Sequence, residues 1–337
     1  MGARIQKDLE LDQKIEKEVK DAPECVRAFF YWMNGKSSAT KELYIKIVMD
    51  FLEYCAPILS LEKGTMPTER LNEITLDTLN AYVRSITIRS DADGNVKMNA
   101  ASTVNVKMCA ISTFYKFLVK RQMVQVNICD ALDRPAIPEK EEIIHLSVEE
   151  VKKAFDAIDS DRYNLKWKKR NKLLLKFPLI TGIRISAMVN MDINDIDCAE
   201  HTFKVIEKES KHRKFWIPDD LYKDLEEWMN ERQMLVDKYG GENNALFLSI
   251  YGEQCKRLTG RGVNKIIGKY TGLAEKKVSA HKLRASFAMG LYDQTGDIGL
   301  VAEMLGHKST ETTKRYAKAT EKKKKEALDK MSAYMGV

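Results

Sequence analysis

The sequence predicts a mainly α protein of two domains: a helical N-terminal domain and a mixed, α-rich C-terminal domain with a small antiparallel sheet. Three observations support this fold class. Apolar residues recur at helical spacing through most of the chain, a segment with two prolines and a charge run divides it, and one pair of short segments alternates as strands do. At 337 residues the chain is long enough for two separate cores.

The first half shows a regular helical pattern. Residues 5–21 are charge-rich and predict a solvated helix or a flexible leader rather than a domain. The polar cluster of residues 90–95 contains no apolar side chain larger than alanine and predicts a loop. Apolar residues spaced for one helix face predict three amphipathic helices, over residues 39–54, 76–88 and 103–119.

A helix-breaking segment follows. Pro135 and Pro138 lie within a charge run, which keeps residues 134–146 out of regular helix and predicts a linker. Directly after it, Ser147 and Glu150 have the spacing of a capping box, which predicts a helix from there to about residue 157.

The second half mixes helices with one predicted hairpin. Residues 173–180 are largely apolar and end at a turn at Thr181 and Gly182. Residues 201–206 and 214–217 alternate around a polar turn, as a hairpin does, and the chain returns to helix after Pro218.

Composition sets limits on location and partners. Lys and Arg number 56 against 49 for Asp and Glu, and the net charge of +7 suits a polyanionic partner without requiring one. The six cysteines form no C-x-x-C pair, which is typical of reduced thiols. Neither a signal peptide nor an apolar run of membrane-spanning length is visible, so we expect a cytoplasmic protein without a membrane partner.

Four residues near the end of the chain are candidates for chemistry. His281 and Arg284 are three residues apart on a predicted helix, so both project from one face. His307 follows Gly306, which has the character of a left-handed helix end. Tyr316 comes nine residues later. Taken singly, the first two are more typical of an exposed surface pair, and Tyr316, one of thirteen tyrosines in the chain, is more typical of a packing residue.

Arg184 is a further candidate, because it stands between two isoleucines just after the Gly182 turn. Burial of an unpaired guanidinium is costly, so it needs an anion. Either a carboxylate such as Asp192 or Asp195 or a bound phosphate would serve, since guanidinium matches both with paired hydrogen bonds.

Taken in order, these residues resemble the signature of the tyrosine recombinase (phage integrase) family. The likeness extends over residues 25–320 in the simpler, Xer-like two-domain layout. Two positions depart from the family pattern: Ala187 replaces an acidic residue and Ile128 replaces a proline. The matching elements are Thr181-Gly-Ile-Arg184, the hairpin lysine Lys211, His281-Lys-Leu-Arg284, Leu305-Gly-His307 and Tyr316.

The resemblance implies a site for each reacting group. Tyr316 is the expected nucleophile on a DNA phosphodiester, and Arg184 and Arg284 are the expected charge donors. The imidazoles at positions 281 and 307 are expected to handle the phenol proton and the phosphate oxygens. Lys211 is the expected general acid, preferred over Lys208 for its seven-residue distance to Pro218.

The resemblance also implies a domain layout. The C-terminal helix either packs on its own domain or docks on a neighbouring subunit. The expected segments are a charged N-terminal helix or leader (1–24), a helical core-binding domain (25–133), a linker (134–146), a catalytic domain (147–318) and a C-terminal helix (319–337).

By the same resemblance, the expected activity is site-specific recombination of double-stranded DNA through a 3′-phosphotyrosyl intermediate. The expected assembly is a dimer on one site and a tetramer on two. No metal or nucleotide cofactor is expected, because the arginines supply the positive charge. Two alternatives stay open: a non-cleaving DNA-binding protein of the same fold, and a type IB topoisomerase or telomere resolvase.

Overall fold

The computed structural model divides the chain into two compact units, Met1–Glu139 and Lys140–Val337. The division falls inside the predicted linker. The structure describes residues 3–90, 96–136, 143–206, 212–242, 244–307, 309–314, 316, 328–329, 331–332 and 334–335.

Helices make up most of the described chain. In chain order they are α1 Ala3–Glu18, α2 Glu24–Trp32, α3 Ser38–Ile58, α4 Leu76–Thr87, α5 Ala101–Lys120, α6 Val148–Asp159, α7 Lys168–Thr181, α8 Ile185–Val189, α9 Asp219–Tyr239, α10 Gly260–Leu273, α11 Ala280–Thr295, α12 Ile298–Leu305 and α13 Glu311–Lys314. The strands are β1 Ile88–Ser90, β2 Val96–Met98, β3 Ile196–Asp197, β4 Thr202–Ile206, β5 His212–Trp216, β6 Leu248–Tyr251 and β7 Gln254–Arg257.

In the first unit, the N-terminal segment is a packed helix. Ile15 and Val19 are buried in the core of this unit. The ammonium group of Lys41, on α3, lies 2.7 Å from a carboxylate oxygen of Asp12, on α1. Of the two forms predicted for the N-terminal segment, a solvated helix or a flexible leader, the structure has the helix. One face of this helix is buried, which its charge-rich sequence did not indicate.

The core of the first unit is aromatic. Phe29, on α2, lies with its ring centroid 5.2 Å from that of Phe114 and 5.5 Å from that of Phe117, both on α5. Of the loop predicted over residues 90–95, Ser90 belongs instead to β1, which pairs antiparallel with β2. Three-residue strands give too short an alternation to detect in a sequence. Positions 91–95 lie outside the described residues.

In the second unit, the predicted capping box is confirmed at the start of α6. The Glu150 amide donates to the Ser147 hydroxyl at 3.2 Å, and the Ser147 amide donates to the Glu150 carboxylate at 2.7 Å. The apolar segment of α7 passes through the core, where Leu173 and Leu175 are fully buried.

The mainly α fold with small antiparallel sheets is confirmed, but the expectation of one sheet was wrong. Strands β3, β4 and β5 form one sheet, in which β4 and β5 are the predicted hairpin. Strands β6 and β7 form a further hairpin, whose turn residues Gly252 and Glu253 have φ values of 60° and 62°. A turn with two positive φ angles favours Asn-Gly, so Gly-Glu gave little signal.

Within the part of the chain that the structure describes, no helix has both the length and the apolar character needed to cross a bilayer.

Candidate active site

Arg284 joins two turns that are far apart in sequence. Its side chain lies on α11 and is 4% exposed. One terminal nitrogen donates to the carbonyl of Gly182, and the other donates to the carbonyl of Leu305. These bonds occupy two of the five N–H groups of the guanidinium. A single buried cation therefore fixes the turn ahead of Arg184 and the helix end ahead of His307.

Gly182 allows the first of these turns to approach α11. Its φ of +62° is in the left-handed region, and it ends α7. A Cβ atom here would lie 2.6 Å from Cε1 of Phe287 and 3.2 Å from Cδ2 of Leu305, so a side chain does not fit. The hydroxyl of Thr181 accepts a hydrogen bond from the Ile183 amide at 3.3 Å, which continues the turn.

Arg184 stands at the N-cap of α8, with extended backbone and a half-buried side chain. Of the two carboxylates considered as its partners, Asp192 forms an ion pair with Arg257, on β7. The carboxylate of Asp195 accepts a hydrogen bond from the Asp192 amide at 2.8 Å. Arg257 also donates to the Met191 carbonyl at 3.0 Å, so it organises the segment after α8. Sequence reasoning missed Arg257, which is 65 residues from Asp192.

The backbone of His307 is fixed by the end of α12. Gly306 has a φ of 62°, and the His307 amide donates to the Ala302 carbonyl at 3.0 Å. This pattern closes a helix through a left-handed residue. The imidazole is oriented as well, because its Nδ1 lies 2.7 Å from Oγ1 of Thr313, which is fully buried. Sequence reasoning missed Thr313, since a threonine at this spacing carries no signal of its own.

Tyr316 lies in the small core that surrounds these helix ends. It is 4% exposed and belongs to a cluster with Ala285, Phe287, Val301 and Leu305. Ala285 directly follows Arg284, and Leu305 lies two residues before His307. Tyr316 thus packs against α11, which carries the buried Arg284, and against α12, whose end directly precedes His307. The described part of α13 ends two residues before Tyr316.

The remaining candidates differ in what the structure describes. His281 is exposed in the first turn of α11, whose start is fixed by a 2.9 Å hydrogen bond from the Ala280 amide to Asn264. Lys211 and its alternative Lys208 lie outside the described residues, which resume at His212 on β5.

Ser286 is a further side chain that the sequence did not single out. Its hydroxyl accepts a 2.8 Å hydrogen bond from the Leu146 amide, and Ile143 packs against the cluster that contains Tyr316. The chain that enters the second unit is therefore attached to α11 two residues after Arg284. Within the described ranges, no group of three or more His, Cys, Asp or Glu side chains is arranged to hold a metal ion.

Comparison with known proteins places this site in context. Residues 145–323 match the model of the phage integrase family. The tyrosine recombinase XerC of Treponema denticola is 26% identical over 295 residues, covering 82% of this chain and 94% of the relative. The tyrosine recombinase XerC of Escherichia coli O157:H7 is 29% identical over 239 residues, covering 70% of this chain and 74% of the relative.

Solved structures share the fold. The XerH site-specific recombinase bound to its difH substrate superposes with a TM-score of 0.62 at 22% identity, covering 90% of this chain and 83% of that one. A lambda integrase dimer bound to a COC′ core site superposes with a TM-score of 0.59 at 16% identity, covering 87% of this chain and 93% of that one.

Proposed function

The chain belongs to the phage integrase family, and we propose that it recombines DNA at specific sites with Tyr316 as its nucleophile. The XerC relatives, matched over most of both chains, are tyrosine recombinases, which supports an enzyme that breaks and rejoins DNA strands. One observation carries the residue assignment. The buried Arg284 bonds to the turn before Arg184 and to the helix end before His307, and Tyr316 packs against those same helices.

In the first step, the phenol oxygen of Tyr316 attacks the scissile phosphorus and the bond to the 5′ oxygen breaks. Negative charge grows on the two non-bridging oxygens, and the guanidiniums of Arg184 and Arg284 meet it with positive charge already in place. His281 accepts the phenol proton or a hydrogen bond from it, and Lys211 gives a proton to the departing 5′ oxygen.

His307 serves the same phosphate through Nε2. Its Nδ1 is engaged with Thr313, so a neutral imidazole that accepts the threonine proton at Nδ1 carries its own proton at Nε2. That proton is then directed to a non-bridging oxygen. With the threonine as donor, this hydrogen bond therefore orients the Nε2 proton toward the phosphate.

The second step reverses the first on another strand. A 5′ hydroxyl attacks the 3′-phosphotyrosyl link, the new phosphodiester forms, and the tyrosine is released with its proton. The covalent link conserves the bond energy and the guanidiniums supply the charge that magnesium provides in other enzymes, so the cycle requires neither ATP nor a metal.

The proposed partners are double-stranded DNA carrying specific recombination sites and further copies of this chain. The XerH and lambda integrase structures are DNA complexes, which supports the first partner. We expect a dimer on one site and a tetramer on two. Leu328, Met331, Tyr334 and Met335 are between 51% and 83% exposed, which favours docking of the C-terminal segment on a neighbouring subunit.

The proposed location is the cytoplasm. All six cysteines are free thiols, which suits a reducing compartment.

Covalent capture tests the proposed function. Full-length Tyr316→Phe protein first selects its binding site from a pool of random duplexes. That site is then nicked beside the scissile phosphate, so that cleavage releases a short strand and traps the intermediate. In EDTA, the wild type is expected to form a protease-sensitive adduct at the 3′ phosphate, and Tyr316→Phe none. Tyr292→Phe is the matched control, since Tyr292 borders the same cluster. Equal adduct with phenylalanine at position 316 would refute the assignment.

A further inference from the structure

Arg213 connects the β4–β5 hairpin to the end of α12. It lies on β5, and its Nη2 donates to the carbonyl of Glu303 at 3.0 Å and to the carbonyl of Met304 at 2.9 Å. The guanidinium carbon lies 4.4 Å from the centre of the Phe215 ring, so a cation–π contact also holds the side chain.

Two arginines thus bind consecutive carbonyls at the end of α12. Arg213 occupies those of Glu303 and Met304, and Arg284 occupies that of Leu305. The last carbonyls of a helix lack partners within the helix and carry partial negative charge, so cations are favoured there. His307 follows this helix end directly.

The strand that carries Arg213 is firmly held. Arg213 pairs with Val205 across the sheet, and Val205 is buried. The next core-facing pair, Phe203 and Phe215, stacks with ring centroids 4.9 Å apart and planes 3° apart. Because this strand is rigid and two hydrogen bonds attach it to the end of α12, the position of the hairpin is fixed relative to that helix end.

The sequence suggests how this connection serves the reaction. Lys211 is two residues before Arg213 and Lys208 is five before it, so both candidate general acids fall in the predicted turn of the hairpin, between the paired strands β4 and β5. The general acid and His307 must reach different oxygens of one phosphate, which requires a fixed distance between the hairpin and the end of α12.

Resting on the proposed function, we propose that Arg213 is a positioning residue that anchors the general-acid hairpin to the helix end preceding His307. It holds the lysine at the leaving 5′ oxygen and does not itself touch the DNA. A misplacement of about 1 Å at such a site costs on the order of 10²-fold in rate.

A sulfur leaving group separates this role from a purely structural one. When sulfur replaces the bridging 5′ oxygen, the tyrosyl O–P bond forms, the P–S bond breaks, and a thiolate departs. A thiol has a pKa of about 8.5, so its thiolate leaves without being protonated, whereas an alkoxide needs a general acid. A defect confined to the general acid is therefore relieved by sulfur, and general damage to the site is not.

The experiment measures single-turnover adduct formation by full-length protein on oxygen and sulfur substrates. Arg213→Met is expected to slow the oxygen substrate about 10- to 100-fold and the sulfur substrate less than about 3-fold. Arg213→Lys, which retains the charge but not the fork, is expected to fall between. Arg70→Met is the matched control, because Arg70 donates to the carbonyl of Leu59 at the end of α3 at 3.0 Å, in the other unit. It should leave the ratio of the two rates unchanged.

Lysine variants complete the test. Like Arg213→Met, Lys211→Ala is expected to slow the oxygen substrate much more than the sulfur substrate. If Lys208→Ala shows this difference instead, Lys208 is the general acid. Equal slowing of both substrates by Arg213→Met, or no slowing, would overturn the positioning role. Relief in neither lysine variant would overturn it too, yet leave the Tyr316 nucleophile standing. Absence of any wild-type adduct on either substrate would instead refute the proposed function itself.

Discussion

Nδ1 of His307 lies 2.7 Å from Oγ1 of Thr313, a fully buried hydroxyl on the short helix that precedes Tyr316. The contact joins the end of α12 to α13 and sets the plane of the imidazole. It therefore couples the position of His307, which is proposed to bind the phosphate, to the position of the segment that leads to Tyr316, the proposed nucleophile.

Loss of this hydroxyl is expected to impair catalysis more than binding. Thr313→Val retains the shape of the side chain but removes the partner of Nδ1, so the ring loses the hydrogen bond that orients it. Adduct formation should slow about 10-fold, at the lower end of the range for such supporting partners. Single-turnover kinetics on the nicked site would measure it, and Thr313→Ser should recover most of the rate. An unchanged rate in Thr313→Val would show that the contact is only structural.

Gly182→Ala is expected to destabilise the second unit by about 2–4 kcal/mol, because the new methyl group meets Phe287 and Leu305 in addition to the cost of a positive φ. Gly296→Ala is the control. Gly296 ends α11 with a φ of +68° but has no neighbour within 4 Å of the added atom. Its cost should stay near 1 kcal/mol. Urea unfolding measures both, and equal losses would contradict the tight approach of this turn to α11.

Arg284→Lys retains the charge and removes the fork that bridges two carbonyls. A lysine offers one nitrogen in place of the two terminal nitrogens that reach Gly182 and Leu305 separately, so it does not reproduce this bridge. The rate of adduct formation should fall on the order of 10²–10³-fold. Affinity for the selected site, measured by fluorescence anisotropy, should change by no more than a few-fold. A variant with nearly normal rate would contradict the central position of this guanidinium.

Asp161 makes a separate prediction about pH. Hydrogen bonding from Lys269, together with that from Asn164 and Tyr270, holds the pKa of this carboxyl well below its ordinary value of 3.8. A carboxyl whose pKa is lower in the folded than in the unfolded state stabilises the fold above about pH 4, and this contribution is lost as pH falls through the folded-state value.

Asp161→Asn should accordingly lower the free energy of unfolding by about 1 kcal/mol at pH 7, since it weakens a hydrogen-bonded ion pair whose lysine is half exposed to solvent. The difference from the wild type should shrink as the pH is lowered below 4 in urea titrations. The Asp161 side chain is 8% exposed and that of Lys269 is 47% exposed, so solvent screens this ion pair in part. A difference that stays constant with pH would show that the charge of this carboxyl does not stabilise the fold.

Short-range signals predicted most of the fold. The capping box at Ser147 and Glu150, the turn at Gly182 and the left-handed helix end at Gly306 depend on neighbouring residues, and all occur as predicted. The pairing of Asp192 with Arg257 and the two carbonyl bonds of Arg213 depend on contacts 65 to 91 residues apart. Nothing in the local sequence distinguishes such an arginine from a solvated one, so these contacts required the folded structure.

The central claim is that Tyr316 becomes linked to DNA. Digestion of the trapped adduct after glutamates releases residues 312–321, which contain a single tyrosine. Mass spectrometry of this peptide should show the 3′-terminal nucleotide attached to Tyr316. Attachment to any other residue, or an unmodified peptide recovered in full from a cleaved substrate, would contradict the account.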